Sequence, residues 1–193
     1  MRPKDETKRE AILNAAMVLI NTLGLAHTSM SKIAREAGVS PATIYIYFEN
    51  KDHLLLTLYV EVKREMSRAI LDSLDDDLDI RDAFRFMWEN LYAYYLAYPD
   101  HFVFAEQFCN APIADAVEEE EAKGFFAPFT HLIERGQKEG ILKQVPMELL
   151  VAFAFHPLTQ LAKQHVKEGI AMDDDGLEAA FSCAWDAVAA PEA

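Results

Sequence analysis

Apolar positions recur at three- and four-residue intervals along nearly the whole chain, and no stretch alternates with period two over a strand's length. That is the period of helices, and it predicts an all-α protein of about nine helices. The first runs from about Thr7 to Leu23, with Ile12, Ala15, Ala16, Leu19, Ile20 and Leu23 on one stripe and Gly24 as its stop. Two short helices are expected between Ser29 and Asp52. A fourth spans about Lys51 to Leu74, with Leu55, Leu58, Tyr59, Val62, Met66 and Ile70 along one side. The run Asp75-Asp76-Asp77-Leu78-Asp79 breaks that pattern. It lacks the glycine-containing spacing of a calcium loop, so it reads as a solvated turn with Asp79 capping the next helix.

The fifth helix, about Ile80 to Tyr98, is the most aromatic piece of the chain: Phe84, Phe86, Trp88, Tyr92, Tyr94, Tyr95 and Tyr98. Pro99 opens a short helix that ends near Pro112. A long helix is expected from Ile113 to Glu139, carrying the acid run Glu118–Glu121, and Gly140 ends it. Pro146 starts another that lasts to about Glu168. Within it Pro157 deletes the N–H that would bond the Phe153 carbonyl, which predicts a kink beside His156. The last helix follows Asp173–Asp175 with the stripe Leu177, Phe181, Ala184, Trp185 and Val188.

The stretch from Ser29 to Asp52 holds the most specific local chemistry. Ile33, Ala34 and Ala37 share one face of its first helix. Gly38 sits where that helix should end, because glycine tolerates a left-handed C′ position. Ser40 can accept hydrogen bonds from the first N–H groups of the next helix, and Pro41 fits its first turn. Ile44 and Phe48 then point inward, while Thr43 and Tyr47 form an outward pair. Two short helices at a steep angle make a helix-turn-helix whose second member suits a DNA major groove.

The run Gly24 to Leu55, and within it Ile33-Ala34, Gly38-Val39-Ser40, Thr43-Ile44-Tyr45, Tyr47-Phe48 and Lys51, resembles the N-terminal signature of the tetracycline-repressor-like (TetR) family. The resemblance implies an N-terminal three-helix DNA-binding head, residues 1–51, and a helical ligand-binding and dimerisation body, residues 52–193. By position in the motif, Ser29, Thr43, Tyr47 and Lys51 look like phosphate contacts. Ser31, Pro41, Ala42, Tyr45 and Ile46 look like the residues nearest the bases. Pro41, Ala42 and Ile46 carry no side-chain donor, so they offer apolar contact with thymine methyls, and DNA shape would carry part of the specificity. The family also implies a homodimer through the last two long helices, and the Trp185 stripe would cover a partner or close its own core.

Charge changes the picture less than it first suggests. The net charge of −14 looks wrong for a DNA binder. Residues 1–51, however, hold seven Lys and Arg against five Asp and Glu, while the rest of the chain holds eleven against twenty-seven. An acidic body with a slightly basic head is what a protein that meets phosphate only at its head would show. The arm from Met1 to Glu6 carries Arg2 and Lys4, which could reach a minor groove or simply be solvated.

The aromatic residues admit a core reading and a pocket reading. Trp88, Tyr92 and Tyr95 line one side of the fifth helix, and Phe104, Phe108, Phe129 and Phe153 are available from neighbours, with Gln107 and His156 among them. A mostly apolar cavity with a few orienting polar groups would suit a small apolar or aromatic effector, and the family resemblance favours that pocket.

Other chemistry is not expected. The six histidines include no H-E-x-x-H, and no nucleophile elbow, phosphate-cradling loop or dinucleotide fingerprint occurs. No catalysis, cofactor or metal is expected. Two cysteines, Cys109 and Cys183, suit a reducing cytoplasm, and no apolar run of about 18 residues predicts a membrane span. The expected function is a ligand-responsive regulator, most readily a repressor, that binds a palindromic operator as a dimer. The alternative is a ligand-binding or DNA-organising module without effector-controlled recognition.

Overall fold

Most of the apolar stripe expected on the first helix is buried, though Leu19 is half-buried and Leu23, at the end of the helix, is 42% exposed. The computed structural model describes residues 5–75, 77–116, 124–169 and 172–191. Helix α1 (Glu6–Leu23) buries Ile12, Leu13, Ala15, Ala16, Met17 and Ile20. Gly24 ends it at φ +83°, a conformation that favours glycine. A 3-10 turn, Leu25–His27, leads to α2 (Met30–Glu36) and α3 (Pro41–Tyr47). Helix α4 (Lys51–Leu71) follows, then α5 (Ile80–Ala97) and α6 (Pro99–Cys109). The remaining helices are α7 (Ala127–Lys138), α8 (Met147–Ala154), α9 (His156–Glu168) and α10 (Asp174–Val188). Counting α8 and α9 as two halves of one broken helix gives nine among the described residues. These contain no strand, only the isolated bridge Leu142–Ala189.

The chain forms two compact units, and sequence order does not divide them. The first contains residues 1–64 and 99–122, the second 65–98 and 123–193. In the first, α1, α2, α3 and the amino-terminal part of α4 share one core with Phe104 and Phe108 of α6. Tyr59 stacks on Phe108 at 4.3 Å between ring centroids. The short helix after Pro99 is therefore part of the head's core, a long-range packing that periodicity does not reveal.

In the second unit α5 is central. Phe84 meets Phe155 and Trp185, and Trp88 meets Phe181, at centroid distances of 5.1, 5.7 and 5.7 Å. Phe181, Ala184 and Val188 of the last helix are buried within the chain. The inward side of the stripe thus helps to close the chain's own core, with Leu177 and Trp185 half-buried. Lys143 pins the end of α10, its Nζ donating to the carbonyls of Asp186 and Ala187.

Two helix boundaries differ from the periodic reading. No continuous helix runs from Ile113 to Glu139. Residues Pro112–Ala116 form a 3-10 turn, and α7 begins only at Ala127, with Pro128 in its first turn where the missing N–H costs nothing. The acid run Glu118–Glu121, like Arg2, Lys4 and Asp76, lies outside the described residues. The helix is interrupted where the kink is expected: α8 ends at Ala154, Phe155 stays right-handed helical at φ −103° and ψ −31°, and α9 starts at His156 with Pro157 in its first turn.

Candidate nucleic-acid interface

Short-range capping builds the head's outer surface. The Ser29 hydroxyl accepts from the Lys32 amide at the start of α2. Gly38 has φ +67°, and the Val39 amide donates to the Ala34 carbonyl, closing the turn between the two helices. Ser40 Oγ accepts from the Thr43 amide at 3.1 Å and lies 2.8 Å from Thr43 Oγ1. Inside α3, Ile44 and then Phe48 are buried. With that anchor in place, the opposite side of the helix must face outward.

That outer face is apolar. Tyr45 is 55% and Ile46 61% exposed, and Pro41, Ala42 and Ser31 are exposed beside them. An exposed aromatic next to an exposed isoleucine on a seven-residue helix has no role in the chain's own core, and such a surface serves a partner.

Each of the four residues expected at phosphate makes a bond within the chain. Ser29 and Thr43 belong to the caps already described. Tyr47 Oη accepts from the Asp5 amide at 3.1 Å. Lys51 Nζ donates to the Leu25 carbonyl, and Lys32 Nζ to that of His27 at 2.7 Å, so two ammonium groups are held at the turn before α2. Such bonds fix these side chains on the surface of the head. The tie between Tyr47 and Asp5 escapes sequence reasoning, because neither the spacing nor the type of the two residues signals it.

The turn into α4 is closed by two side-chain bonds. Asn50 Oδ1 accepts from the His53 amide, and His53 Nδ1 accepts from the Glu49 amide, at 2.8 and 3.3 Å. The histidine sits three residues after Asn50, where a capping box has glutamate or glutamine, but its ring accepts from the residue before Asn50.

Of the nine residues considered for a ligand pocket, three lie in the first unit and six in the second. Phe104, Gln107 and Phe108 belong to the first unit, where both rings are fully buried in the core. Trp88 is 1% exposed, with its Nε1 donating to the Ala154 carbonyl at 3.0 Å. Tyr92 bonds His165 Nδ1 at 3.0 Å, and burial pushes its phenol pKa upward. Tyr95 and Phe129 are half-buried. Phe153 is 63% exposed and His156 is also exposed, on either side of buried Ala154 and Phe155. The second unit does contain a hollow of about 320 Å³ lined by Leu74, Ala83, Pro128 and Leu132, with Asp75, His131 and Arg135 as its polar groups. None of the nine lines it.

Both cysteines are free and exposed, and Cys109 Sγ lies 3.5 Å from Tyr59 Oη. Among the described residues no group of three potential ligands could hold a metal ion, and no helix is long and apolar enough to cross a membrane.

Comparison with known proteins matches both parts of the chain. A family model described as bacterial regulatory proteins, tetR family, matches residues 12–58, and one described as Tetracyclin repressor-like, C-terminal domain, matches residues 80–189. A TetR family transcription regulator from Marinobacter aquaeolei VT8 is 35% identical with a TM-score of 0.85, covering 99% of this chain and 100% of that one. A putative TetR family regulator from Vibrio parahaemolyticus is 33% identical with a TM-score of 0.81, covering 94% of this chain and 98% of that one. An uncharacterized HTH-type transcriptional regulator of Haemophilus influenzae is 25% identical over 97% of this chain and 99% of its own length.

Proposed function

Because the chain belongs to the TetR family of transcriptional regulators, with a DNA-binding helix-turn-helix and no enzymatic role, we propose that it is a dimeric, effector-responsive repressor of a palindromic operator. The observation that carries the proposal is the outer face of α3, where Tyr45 and Ile46 stand exposed over a helix anchored by Ile44 and Phe48. Tyr45, Ile46, Pro41, Ala42 and Ser31 meet base edges, largely through apolar contact. Ser29, Thr43, Tyr47 and Lys51 meet phosphates. A two-fold dimer places the two copies of α3 about one helical turn of DNA apart, roughly 34–36 Å.

The dimer is formed by the last helices. Since the inward side of the Trp185 stripe is used inside the chain, the contact falls on their exposed face, where Leu149 and Phe153 lie one turn apart on α8. The effector is a small, largely apolar molecule bound in the second unit. The hollow beside α5 and α7 supports this reading, and Phe129 follows hollow-lining Pro128 directly. The effector must bind the DNA-free form better, since a ligand shifts an equilibrium only by its differential affinity. The protein acts in the cytoplasm, where its operator is.

The test is selection of randomised duplexes by the purified protein, followed by titration of the selected duplex against candidate effectors. One enriched palindrome whose affinity falls with effector is expected. Absence of any enriched sequence would overturn the reading and favour a DNA-organising or ligand-binding module.

A further inference from the structure

The hollow beside α5 and α7 joins an apolar lining to charges of both signs. Helix α7 supplies residues 128, 131, 132 and 135, a spacing of three and four that puts them on one face. Pro128 and Leu132 form an apolar row there, and His131 and Arg135 a polar one. Ala83 comes from α5, and the turn after α4 adds Leu74 and Asp75. Ala83 and Leu132 are buried, whereas Asp75 and His131 are exposed, so the depth of the hollow is apolar and its rim is polar.

The chain holds the two charges of the rim in place without joining them. Asp75 Oδ1 accepts from the Asp77 amide at 2.9 Å, and the Asp75 carbonyl from the Leu78 amide at 3.2 Å. Arg135 Nη2 donates to the Leu78 carbonyl at 2.8 Å, which ties the guanidinium to the same turn. Among the described residues no cation pairs with the Asp75 carboxylate. The volume, about 320 Å³, is about twice the ~150 Å³ of a cavity that admits benzene, so a ring with a short polar chain fits. Beyond residue 51 eleven Lys and Arg stand against twenty-seven Asp and Glu, and such a field repels a simple anion. Arg135 in turn opposes a simple cation. A molecule that carries both charges meets neither objection.

We propose that this hollow binds a small zwitterion with an apolar side chain, of the size and chemistry of a free aromatic or branched-chain amino acid. The ligand's carboxylate meets Arg135, whose five N–H groups can serve Leu78 and a ligand together, with the His131 ring one turn away. Its ammonium meets Asp75. Its side chain lies against Ala83, Leu132 and Leu74. The inference rests on the effector reading above and narrows the ligand to one chemical class.

The test is calorimetric titration of the full chain, without DNA, with L-phenylalanine and two analogues that each lack one charge. Hydrocinnamate has no ammonium, and phenethylamine has no carboxylate. L-Phenylalanine should bind saturably and each analogue about tenfold more weakly or worse, the effect of losing one charged hydrogen-bond partner. In Asp75→Asn, which keeps an acceptor for the Asp77 amide, the preference over hydrocinnamate should vanish and that over phenethylamine should persist. Arg135→Gln should do the reverse. A crossed loss of this kind is a pairwise coupling that a general structural change does not produce. Arg135→Gln also gives up the bond to Leu78, so if it does not fold, Asp75→Asn decides alone. Equal binding of the three compounds, no saturable binding of L-phenylalanine or L-leucine, or unchanged preferences in Asp75→Asn overturns the proposal. The effector reading is judged separately, by adding compounds to the protein bound to its selected duplex. An uncharged apolar compound that releases the duplex, where amino acids do not bind, upholds that reading and overturns this one.

Discussion

Helix α3 leaves Tyr45 and Ile46 more than half exposed, whereas α5 buries Phe84, Met87 and Trp88 almost completely. Both helices are rich in rings, yet the rings of α5 have partners inside the chain. Phe84 meets Phe155 and Trp185, Trp88 meets Phe181, and the Trp88 N–H reaches the Ala154 carbonyl. On α3 only Ile44 and the following Phe48 are anchored inward. The contrast teaches that aromatic density does not by itself mark a ligand site. A contiguous apolar patch that the chain's own packing leaves unused is the better marker.

The strongest way to break the comparison is to truncate a ring of α5. Trp88→Ala should cost about 3–5 kcal/mol in urea unfolding, since it opens a cavity and leaves the Ala154 carbonyl without its donor. A cost below about 1 kcal/mol would mean that Trp88 lines an open pocket after all. Next in size is Gly136→Ala. A Cβ there would meet Leu142 Cδ1 at 2.7 Å and Ile80 Cγ2 at 2.9 Å, so about 1–3 kcal/mol of destabilisation is expected from overpacking. An unchanged midpoint would show that the second unit's core is looser than these contacts imply.

Phe153→Ser separates intrachain from intermolecular roles. The side chain is exposed, so subunit stability should stay within about 0.5 kcal/mol. If α8 carries the dimer contact, sedimentation should show self-association weakened by about 1–2 kcal/mol, on the order of tenfold. Trp185→Glu should instead unfold the protein, because Trp185 packs on Phe84 and Phe181. The smallest effect on the fold is expected from Ile46→Ala on α3, a change within about 0.5 kcal/mol. Operator affinity should fall several-fold and discrimination at one base step should relax, as when an apolar side chain is removed from a thymine methyl. A large stability loss with unchanged affinity would reverse the roles assigned to the two helices.

The head is legible in the sequence because its information is local. Ser29, Gly38, Ser40 and Pro41 each satisfy or end a helix through groups two to five residues away, and the structure has each of them in that role. The body is legible as helices but not in how they group. Sequence pattern groups Phe104 and Phe108 with Trp88 because all three lie in neighbouring aromatic helices. The fold places the two phenylalanines against Tyr59 and α1, in a different compact unit. Periodicity names the face a helix buries and is silent about what that face meets. Pro157 shows the same limit on a smaller scale: its missing N–H foretells an interruption, but only the fold shows that Phe155 beside it packs on Phe84 and Phe129 while Phe153 and His156 stay exposed.

The sequence by itself determined the helical class, the capped helix-turn-helix and the family, because hydrogen bonds over a few residues and a 3.6-residue period are written directly in residue order. Tertiary structure alone decided that α6 belongs to the head, that the inward side of the Trp185 stripe helps to close the chain's own core, and that Tyr47 holds the start of α1. Each of these joins residues far apart in the chain. Many alternative pairings would bury similar apolar area, and only close packing of the complete set of side chains selects among them.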